Sequence, residues 1–252
     1  CYIDNDLKGQ DIGIKDGKII KIGKIDSEAK ETFDAKGLTV LPGCIDTQTH
    51  FREPGSTDTE DLHSGSRAAI VGGITSVFEM PNTNPPTSTK VEFQKKLDLA
   101  KNRMYCNYAF YFGATADNAS ELADLVNLEG CCGIKLFAGS STGNLLVAEE
   151  EDIEKVFKSS SKVVAVHSED EAILNINKKV IKEWDVHSHP IWRSAECAIS
   201  TTRRIVRIAE RYKKKAHILH ITTKEEIDFL SQHKGNITFE ITPQHLTIYA
   251  PD

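Results

Sequence analysis

Short β-rich apolar runs alternate with longer helix-forming segments from Leu38 onward, and this alternation restricts the fold more than any other feature of the 252-residue sequence. The pattern is typical of parallel strands joined by helical crossovers. Strands are predicted over residues 38–51, 74–81, 105–114, 131–138, 162–169, 216–223 and 236–243. Helices are predicted over residues 58–71, 88–102, 118–127, 149–160, 170–182 with 193–213, and 223–233. Thr223 and Glu226 have the spacing of a capping box at the start of the last helix.

Seven strand-helix units predict an α/β fold, a (β/α)8 TIM-like barrel that stops one unit short, because closure requires eight strands. The barrel is expected to occupy residues 38–252, and the chain is expected to be truncated at Asp252, before strand 8. An open doubly wound sheet is the alternative. No glycine-rich phosphate turn follows the first strand, and the candidate ligands are spread over strands 1, 4, 5 and 6, whereas an open sheet gathers its site at one crevice.

The first 37 residues predict a separate element, part of a small β-sandwich domain. Residues 10–24 alternate apolar and polar side chains on both sides of Asp16-Gly17. This pair tolerates positive φ angles, so it favours a tight hairpin turn. Because the first residue is Cys1 and not Met, the gene product is expected to begin upstream.

Composition excludes several classes of protein. The net charge is −6, and no apolar run approaches the roughly 18 residues of a membrane helix. An acidic balance also argues against nucleic-acid binding, which relies on clustered cations. The six cysteines show no CxxC spacing, which indicates a reducing compartment. With no secretory leader in view, the sequence predicts a cytoplasmic protein without membrane or nucleic-acid partners.

Four nitrogen-bearing side chains lie in or at the ends of predicted strands. His50 ends strand 1, Lys135 lies in strand 4, His167 ends strand 5 and His220 ends strand 6. Because the active sites of barrels collect at the carboxyl ends of the strands, these side chains are expected to meet. Three imidazoles around one cavity predict a transition-metal site, most plausibly zinc.

Lys135 stands out because its neighbours in the strand are apolar. Burial lowers the pKa of a lysine and leaves a reactive neutral amine. Such an amine could add carbon dioxide to form a carbamate, an anionic ligand able to bridge two metals. The alternative is an internal ion pair or a side chain whose amine snorkels to the surface.

Arg52 and Asn82 predict an anion site. Arg52 lies two residues after His50, and Asn82 lies just beyond strand 2 in the segment MPNTNPP. An Arg fork binds a carboxylate through two parallel hydrogen bonds, and an Asn amide adds a donor beside it. Alternatively, Arg52 pairs with Glu53 or Asp58 and only stabilises the loop.

These segments together resemble the class I dihydroorotases of the cyclic amidohydrolase superfamily. The resemblance runs from about Gly37 to Asp252, and the preceding hairpin resembles part of the small β-sandwich of that family. It rests on PGCIDTQTHFREPG, GGITSVFEMPNTNP, GIKLF, HSED, HILHITT and EITPQHL. REPG together with MPNTNP is the specific part, since the related allantoinases and hydantoinases generally lack the Arg.

The resemblance implies zinc-dependent, reversible hydrolysis of dihydroorotate to N-carbamoyl-L-aspartate, a step of pyrimidine biosynthesis. It implies that His50, His167 and His220 are metal ligands and that Lys135 is the lysine carboxylated in some members. It also implies that Arg52 and Asn82 hold the substrate carboxylate. Dimerisation is compatible with the family, and aspartate transcarbamoylase is a candidate partner.

The sequence departs from the family pattern at two places. The HxH of strand 1 is Gln48-Thr49-His50, and an amide oxygen is a weak ligand for zinc, so one zinc is expected rather than two. The Asp that serves as general base would lie beyond Asp252, and the segment AGSSTG after Lys135 offers no carboxylate in its place. Because Gln48 replaces a ligand, a second hypothesis is a non-catalytic scaffold that binds aspartate transcarbamoylase. A third hypothesis is a hydrolase that acts on hydantoin-like or other cyclic ureides.

Overall fold

The predicted hairpin around Asp16-Gly17 is present in the computed structural model of the protein, which describes residues 2–3, 6–141 and 143–248. Strands β3 (Asp11–Lys15) and β4 (Lys18–Gly23) pair antiparallel. Asp16 and Gly17 have φ angles of 51° and 72°, as a two-residue type I′ turn requires. Two-residue strands precede the hairpin, β1 (Tyr2–Ile3) and β2 (Asp6–Leu7). The chain divides into two compact units, residues 1–44 and 45–252.

A parallel sheet dominates the second unit, and seven strands form it within the described residues. They are β5 (Cys44–Thr49), β6 (Ile74–Glu79), β7 (Asn107–Gly113), β8 (Cys131–Phe137), β9 (Val164–His167), β10 (Ala216–Ile218) and β11 (Ile237–Phe239). Each strand pairs with the next one along the chain. This uninterrupted order matches a barrel, since a doubly wound sheet reverses its order at a switch point. The predicted chain end at Asp252 lies outside the described residues.

The edge strands of the sheet curve toward each other. Thr47 in β5 donates a hydrogen bond through Oγ1 to Glu240 Oε2, one residue after β11, at 2.5 Å. A direct contact between the first and last strands requires a strongly curled sheet. The strands within the described ranges are therefore consistent with seven of the eight strands of a barrel.

Helices follow the strands as the sequence predicts, with differences at their ends. They are α1 (Leu62–Val71), α2 (Lys90–Ala100), α3 (Leu122–Leu125), α4 (Glu150–Ser159), α5 (Glu171–Asn177), α6 (His189–Trp192), α7 (Ala195–Arg211), α8 (Lys224–Leu230) and α9 (Pro243–Thr247), with 3₁₀ turns at Lys178–Val180 and Val186–Ser188. The predicted N-cap of α8 is confirmed: Thr223 Oγ1 accepts from the Glu226 N–H at 3.2 Å and donates to the Glu226 carboxylate at 2.9 Å. No helix in the described ranges is long and apolar enough to cross a membrane.

Several predicted elements are shorter in the structure. The strand predicted over 38–51 begins at Cys44, and the strand predicted over 216–223 ends at Ile218. The helix predicted over 118–127 is a single turn, because the Asn118 side chain bonds to the Thr115 N–H and to the carbonyls of Ser88 and Gly113, which holds its own segment in a turn. The strand predicted over 236–243 ends at Phe239. Pro243 begins α9 instead, at the helix position that best accommodates a residue without an N–H.

The two faces of the sheet carry different cores. The larger core lies between the sheet and the helices and contains side chains of both, such as Val77, Ile134, Phe93 and Val206. The smaller core, Met80, Tyr111, Ala165 and Leu219, comes from strands and strand ends only. The helix-free face is therefore the interior of the curled sheet, where a barrel places its site.

Candidate active site

Lys135 lies on the interior face of the sheet. Its neighbours Ile134 and Leu136 point into the helix-facing core, and Lys135 is in register with Ala165 of the interior cluster. Only 1% of Lys135 is exposed, so its amine does not snorkel to the surface. Among the described residues Nζ has no hydrogen-bond partner, and it lies 4.4 Å from the centroid of the Phe137 ring. Burial lowers the pKa of this amine well below its usual value.

Two imidazoles face each other beside Lys135. His167 Nδ1 and His220 Nε2 are 2.9 Å apart, and the two ring centroids are 4.8 Å apart. The other nitrogen of His167, Nε2, lies 2.6 Å from Glu169 Oε2. A proton on Nε2 would be donated to this carboxylate, so the lone pair of Nδ1 faces His220.

A third imidazole approaches from β5. His50 Nδ1 lies 2.9 Å from Asn82 Oδ1. Burial, followed by the cations Arg52 and Lys135, lowers the pKa of His50 to about 4. Burial also lowers the pKa of His167 and of His220, and Lys135 contributes to both shifts. All three rings are therefore neutral near pH 7 and lie close enough to Lys135 to be affected by its charge.

Arg52 lies beside the His50–Asn82 pair and forms no ion pair within the described part of the chain. The alternative pairing with Glu53 does not form. Arg103 binds Glu53 through both guanidinium nitrogens, at 2.7 and 3.1 Å, and the Leu62 N–H donates to the same carboxylate. The Arg52 guanidinium is thus a cation available to an anionic ligand.

Two backbone conformations at the site are strained. Arg52 has a φ of 60° and His220 a φ of 39°. Neither residue is a glycine, and side chains other than Gly, Asn and Asp rarely adopt these angles. Such residues persist only where surrounding contacts hold them, and they cluster at functional sites.

Glu169 and Arg193 are site residues that the sequence reasoning missed. Arg193 Nη1 donates to Glu169 Oε2 at 2.7 Å, and Nη2 contacts Ser140 Oγ in the loop after β8. A Cβ on Gly139 would meet the Glu169 carbonyl oxygen at 2.5 Å, so only glycine permits this approach of the loop. The spacing of Glu169 two residues after His167 was a usable signal. Arg193 lies in a segment without periodicity, so the sequence gave no signal for it.

A second carboxylate lies near Lys135. Glu240 Oε2 is 3.0 Å from His217 Nε2 and accepts the hydrogen bond from Thr47. Although burial raises the pKa of Glu240, these hydrogen bonds and the charge of Lys135 bring it below its usual value. Glu240 is therefore an interior anion that acts on Lys135 from beyond hydrogen-bond distance.

The overall arrangement agrees with a family comparison. The model of the amidohydrolase family matches residues 39–246. This chain belongs to the amidohydrolase family. The family-level part of the resemblance and the amidohydrolase type of fold are thereby confirmed.

Similar amidohydrolases include two named dihydroorotase. The one from Methanosarcina acetivorans is 33% identical and aligns with 100% of this chain and 56% of its own length. The one from Methanosarcina mazei is 34% identical, with 100% and 58% covered. Among solved structures, an L-hydantoinase (dihydropyrimidinase) from Arthrobacter aurescens has a TM-score of 0.86 at 27% identity, covering 95% of this chain and 56% of that one. The chain thus spans little more than half the length of these relatives.

The amidohydrolase relatives imply a metal cofactor, and the donor set here fits one. No three His, Cys, Asp or Glu side chains in the described ranges already converge on one ion position. However, two nitrogens on one tetrahedral zinc lie about 3.3 Å apart, and His167 Nδ1 and His220 Nε2 need to separate by only a few tenths of an ångström from their 2.9 Å. The Lys135 amine, which has no hydrogen-bond partner among the described residues, is the third nitrogen near this position.

Proposed function

We propose that the chain is the barrel portion of a zinc-dependent dihydroorotase, which interconverts dihydroorotate and N-carbamoyl-L-aspartate in pyrimidine biosynthesis. The observation that carries the proposal is the unpaired Arg52 guanidinium next to a cluster of neutral imidazoles and a buried amine. An anionic ring substrate would use both parts, the cation for its carboxylate and the cluster for its amide. The relatives named dihydroorotase support the same reaction.

Zinc would be held by His167, His220 and Lys135, with His50 at the strand 1 side of the same cluster. When bound, zinc supplies Lewis acidity toward a carbonyl oxygen and lowers the pKa of water. One zinc is proposed rather than two, because Gln48 stands where a second imidazole of strand 1 is expected and an amide oxygen is a weak zinc ligand.

Lys135 is proposed to be carboxylated. Its neutral amine would attack carbon dioxide, form a nitrogen–carbon bond and release one proton, which leaves a carbamate anion. The carbamate would satisfy the buried nitrogen with two oxygen ligands for metal, and it would place a negative charge among three imidazoles and Arg52. A buried lysine with a lowered pKa and no partner is suited to this reaction.

Arg52 and Asn82 are proposed to hold the substrate carboxylate. Asn82 Oδ1 accepts from His50 Nδ1, so the Asn82 amide N–H groups point away from that bond and can donate to the substrate. The Arg52 fork supplies two further donors. The general base is proposed to be an Asp beyond residue 252, and a homodimer and an association with aspartate transcarbamoylase stay predictions from the family.

The test is turnover by the full-length protein, with metal analysis on the same sample. We expect about one zinc per chain and formation of dihydroorotate from carbamoyl aspartate. Arg52→Ala is expected to raise KM at least tenfold, because a charge-assisted bidentate contact contributes several times RT. Arg67→Ala, which removes an exposed arginine of α1, is the control and should leave KM unchanged. Metal-free protein without turnover would overturn the proposal.

A cyclic ureide hydrolase is the second candidate, because the structural likeness to L-hydantoinase is high. Arg52 argues against it, since an uncharged ring would leave the guanidinium without an anion. Assaying hydantoin and dihydroorotate side by side separates the two. If Arg52→Ala turns over dihydroorotate as fast as the parent, the carboxylate assignment is wrong.

A non-catalytic scaffold is the third candidate, and Gln48 is the observation that favours it. The test is Gln48→His in the full-length protein. An inactive parent with strong activity restored only in Gln48→His would favour the scaffold. An active parent, with more bound zinc in the variant, would favour the enzyme.

A further inference from the structure

A buried ion pair lies on the helix-facing side of the sheet, directly behind the proposed carboxylate site. Glu79 ends β6, and Lys96 reaches it from α2. Their side chains are 1% and 0% exposed, and the Lys96 amine contacts the Glu79 carboxylate. Lys96 Nζ also lies 5.2 Å from the centroid of the Phe110 ring. The pair is therefore enclosed by the helix-facing core and touches no solvent.

The pair also meets backbone at a strand end. Lys96 Nζ donates to the Met80 carbonyl at 2.8 Å, and the Met80 N–H donates to the Thr49 carbonyl at the end of β5 at 2.9 Å. The Phe51 N–H faces the Glu79 carboxylate and counteracts the effect of burial on its pKa. Phe51 lies between His50 and Arg52, and Met80 lies two residues before Asn82. The pair thus connects the two backbone segments that carry the proposed substrate and metal contacts.

The Phe51 contact lies next to a strained residue. Arg52 has a φ of 60°, a conformation that neighbouring contacts must hold. The Phe51 ring is fixed by α1, where a Cβ on Gly65 would meet ring atom Cδ1 at 2.4 Å. The Phe51 N–H faces the Glu79 carboxylate. Phe51, the residue immediately before the strained Arg52, is therefore packed against α1 and lies beside the buried pair.

Stability alone does not require two charges here. Replacing a buried ion pair by apolar side chains of similar size is often neutral or stabilising. What apolar side chains cannot supply is the donor for the Met80 carbonyl and the carboxylate that faces the Phe51 N–H. These two interactions are thus the specific consequence of having Lys96 and Glu79 at these positions.

We propose that Glu79 and Lys96 are positioning residues that fix the Arg52 and Asn82 side chains for the substrate carboxylate. They act through the backbone at Phe51 and Met80 and touch no substrate. This inference rests on the proposed function for its substrate, but the backbone anchoring that it requires is measurable without turnover.

The test compares a double variant, Glu79→Leu with Lys96→Met, to the full-length parent. Substrate binding should weaken, with KM for dihydroorotate raised roughly tenfold, because small misplacements of a positioning group are costly. The zinc content should be unchanged and kcat should change much less than KM. Amide hydrogen exchange measured by mass spectrometry should accelerate in peptides covering residues 48–56. Glu79→Gln keeps an oxygen that faces the Phe51 N–H and should recover most of the KM effect.

A matched control is available on the same side of the sheet. Glu226 is 2% exposed and accepts a hydrogen bond from Thr202 Oγ1 at 2.7 Å. Glu226→Leu therefore removes a buried carboxylate that does not contact the ends of β5 or β6, and it leaves the hydrogen bond between Thr202 and Ser168 in place. It should leave KM and exchange at residues 48–56 unchanged. If the Glu79 and Lys96 double variant behaves like this control, the positioning role is wrong.

A milder variant keeps the proposal testable if the double variant does not fold. Glu79→Asp retracts the carboxylate by one methylene and is expected to show the same rise in KM and in local exchange. Unchanged values in Glu79→Asp would overturn the proposal. If the parent does not turn over dihydroorotate, the proposed function fails, but exchange at residues 48–56 still decides whether the pair anchors the backbone.

Discussion

Lys96 and Lys135 are both fully buried, and they lie on opposite faces of the same sheet. On the helix-facing side, Lys96 contacts the Glu79 carboxylate and donates to the Met80 carbonyl. On the interior side, Lys135 has no hydrogen-bond partner within the described residues, and only an aromatic ring lies against it. The same side chain is thus satisfied on one face and left unsatisfied on the other.

Other polar groups also differ between the two faces. The buried carboxylate of Glu226, on the helix-facing side, accepts hydrogen bonds from Thr202 and Thr223. The interior imidazoles of His50 and His220 are instead desolvated and close to Arg52 or Lys135, and their pKa values are lowered. Lowered pKa values clustered on one face, beside a lysine amine without a partner among the described residues, mark that face as the candidate site.

The first and largest effect is expected from Lys135→Met. Metal binding and turnover should fall by more than about a hundredfold, because even outer-shell changes cost 10–100-fold. With metal removed from both proteins, the free energy of unfolding of the variant should nevertheless exceed that of the parent by about 1–3 kcal/mol, since an unsatisfied buried group is removed at similar volume. Metal analysis, a turnover assay and denaturant unfolding give the three measurements.

Lys96→Met is the matched control for that change. It removes an equally buried lysine but leaves the Glu79 charge without its partner. We expect a loss of about 3–5 kcal/mol in the free energy of unfolding, the opposite sign from Lys135→Met. Equal stability changes in the two variants would show that the faces do not differ as described.

The second effect is expected from Glu169→Gln on the interior side. Its carboxylate holds His167 Nε2 at 2.6 Å and is itself bound by Arg193. A neutral amide orients the ring less strongly, so zinc affinity should fall about tenfold, the lower end of outer-shell effects. Competition with a chromogenic chelator measures this zinc affinity. Glu154→Gln, in a surface contact with Arg211, should not alter zinc affinity, and an equal loss there would contradict the assignment.

The sequence predicted most of the fold because alternation has a direct physical cause. Strand parity puts Ile134 and Leu136 on one face and Lys135 on the other, and parallel strands bring their carboxyl ends to one edge. These two rules are the basis on which His50, Lys135, His167 and His220 are predicted to meet, and among the described residues His167 and His220 lie 2.9 Å apart. The seven strands were found for the same reason.

The contacts that hold the site were not predictable in this way. The pair of Glu79 and Lys96 joins a strand end to the helix that follows it. In the sequence, these two residues look like the charged residues that lie on solvent-exposed surfaces. Arg193 comes from a segment between α6 and α7 that has no periodicity. Such contacts depend on the three-dimensional path of the chain, which hydrophobic pattern alone does not encode.

The smallest effect is expected from Glu226→Gln, which probes satisfied burial through pH. Burial raises the pKa of the Glu226 carboxyl above its unfolded value near 4.5, in spite of its hydrogen bonds. As pH rises through 4.5, the unfolded state loses this proton before the folded state does, so the parent loses stability until the folded pKa is passed. The glutamine side chain of the variant has no such proton. The difference in melting temperature, variant minus parent, should therefore increase from about pH 4 to about pH 7 by a few degrees. A difference that stays constant with pH would show that the two threonines satisfy the charge completely, and the buried Glu226 carboxylate would then carry no desolvation cost.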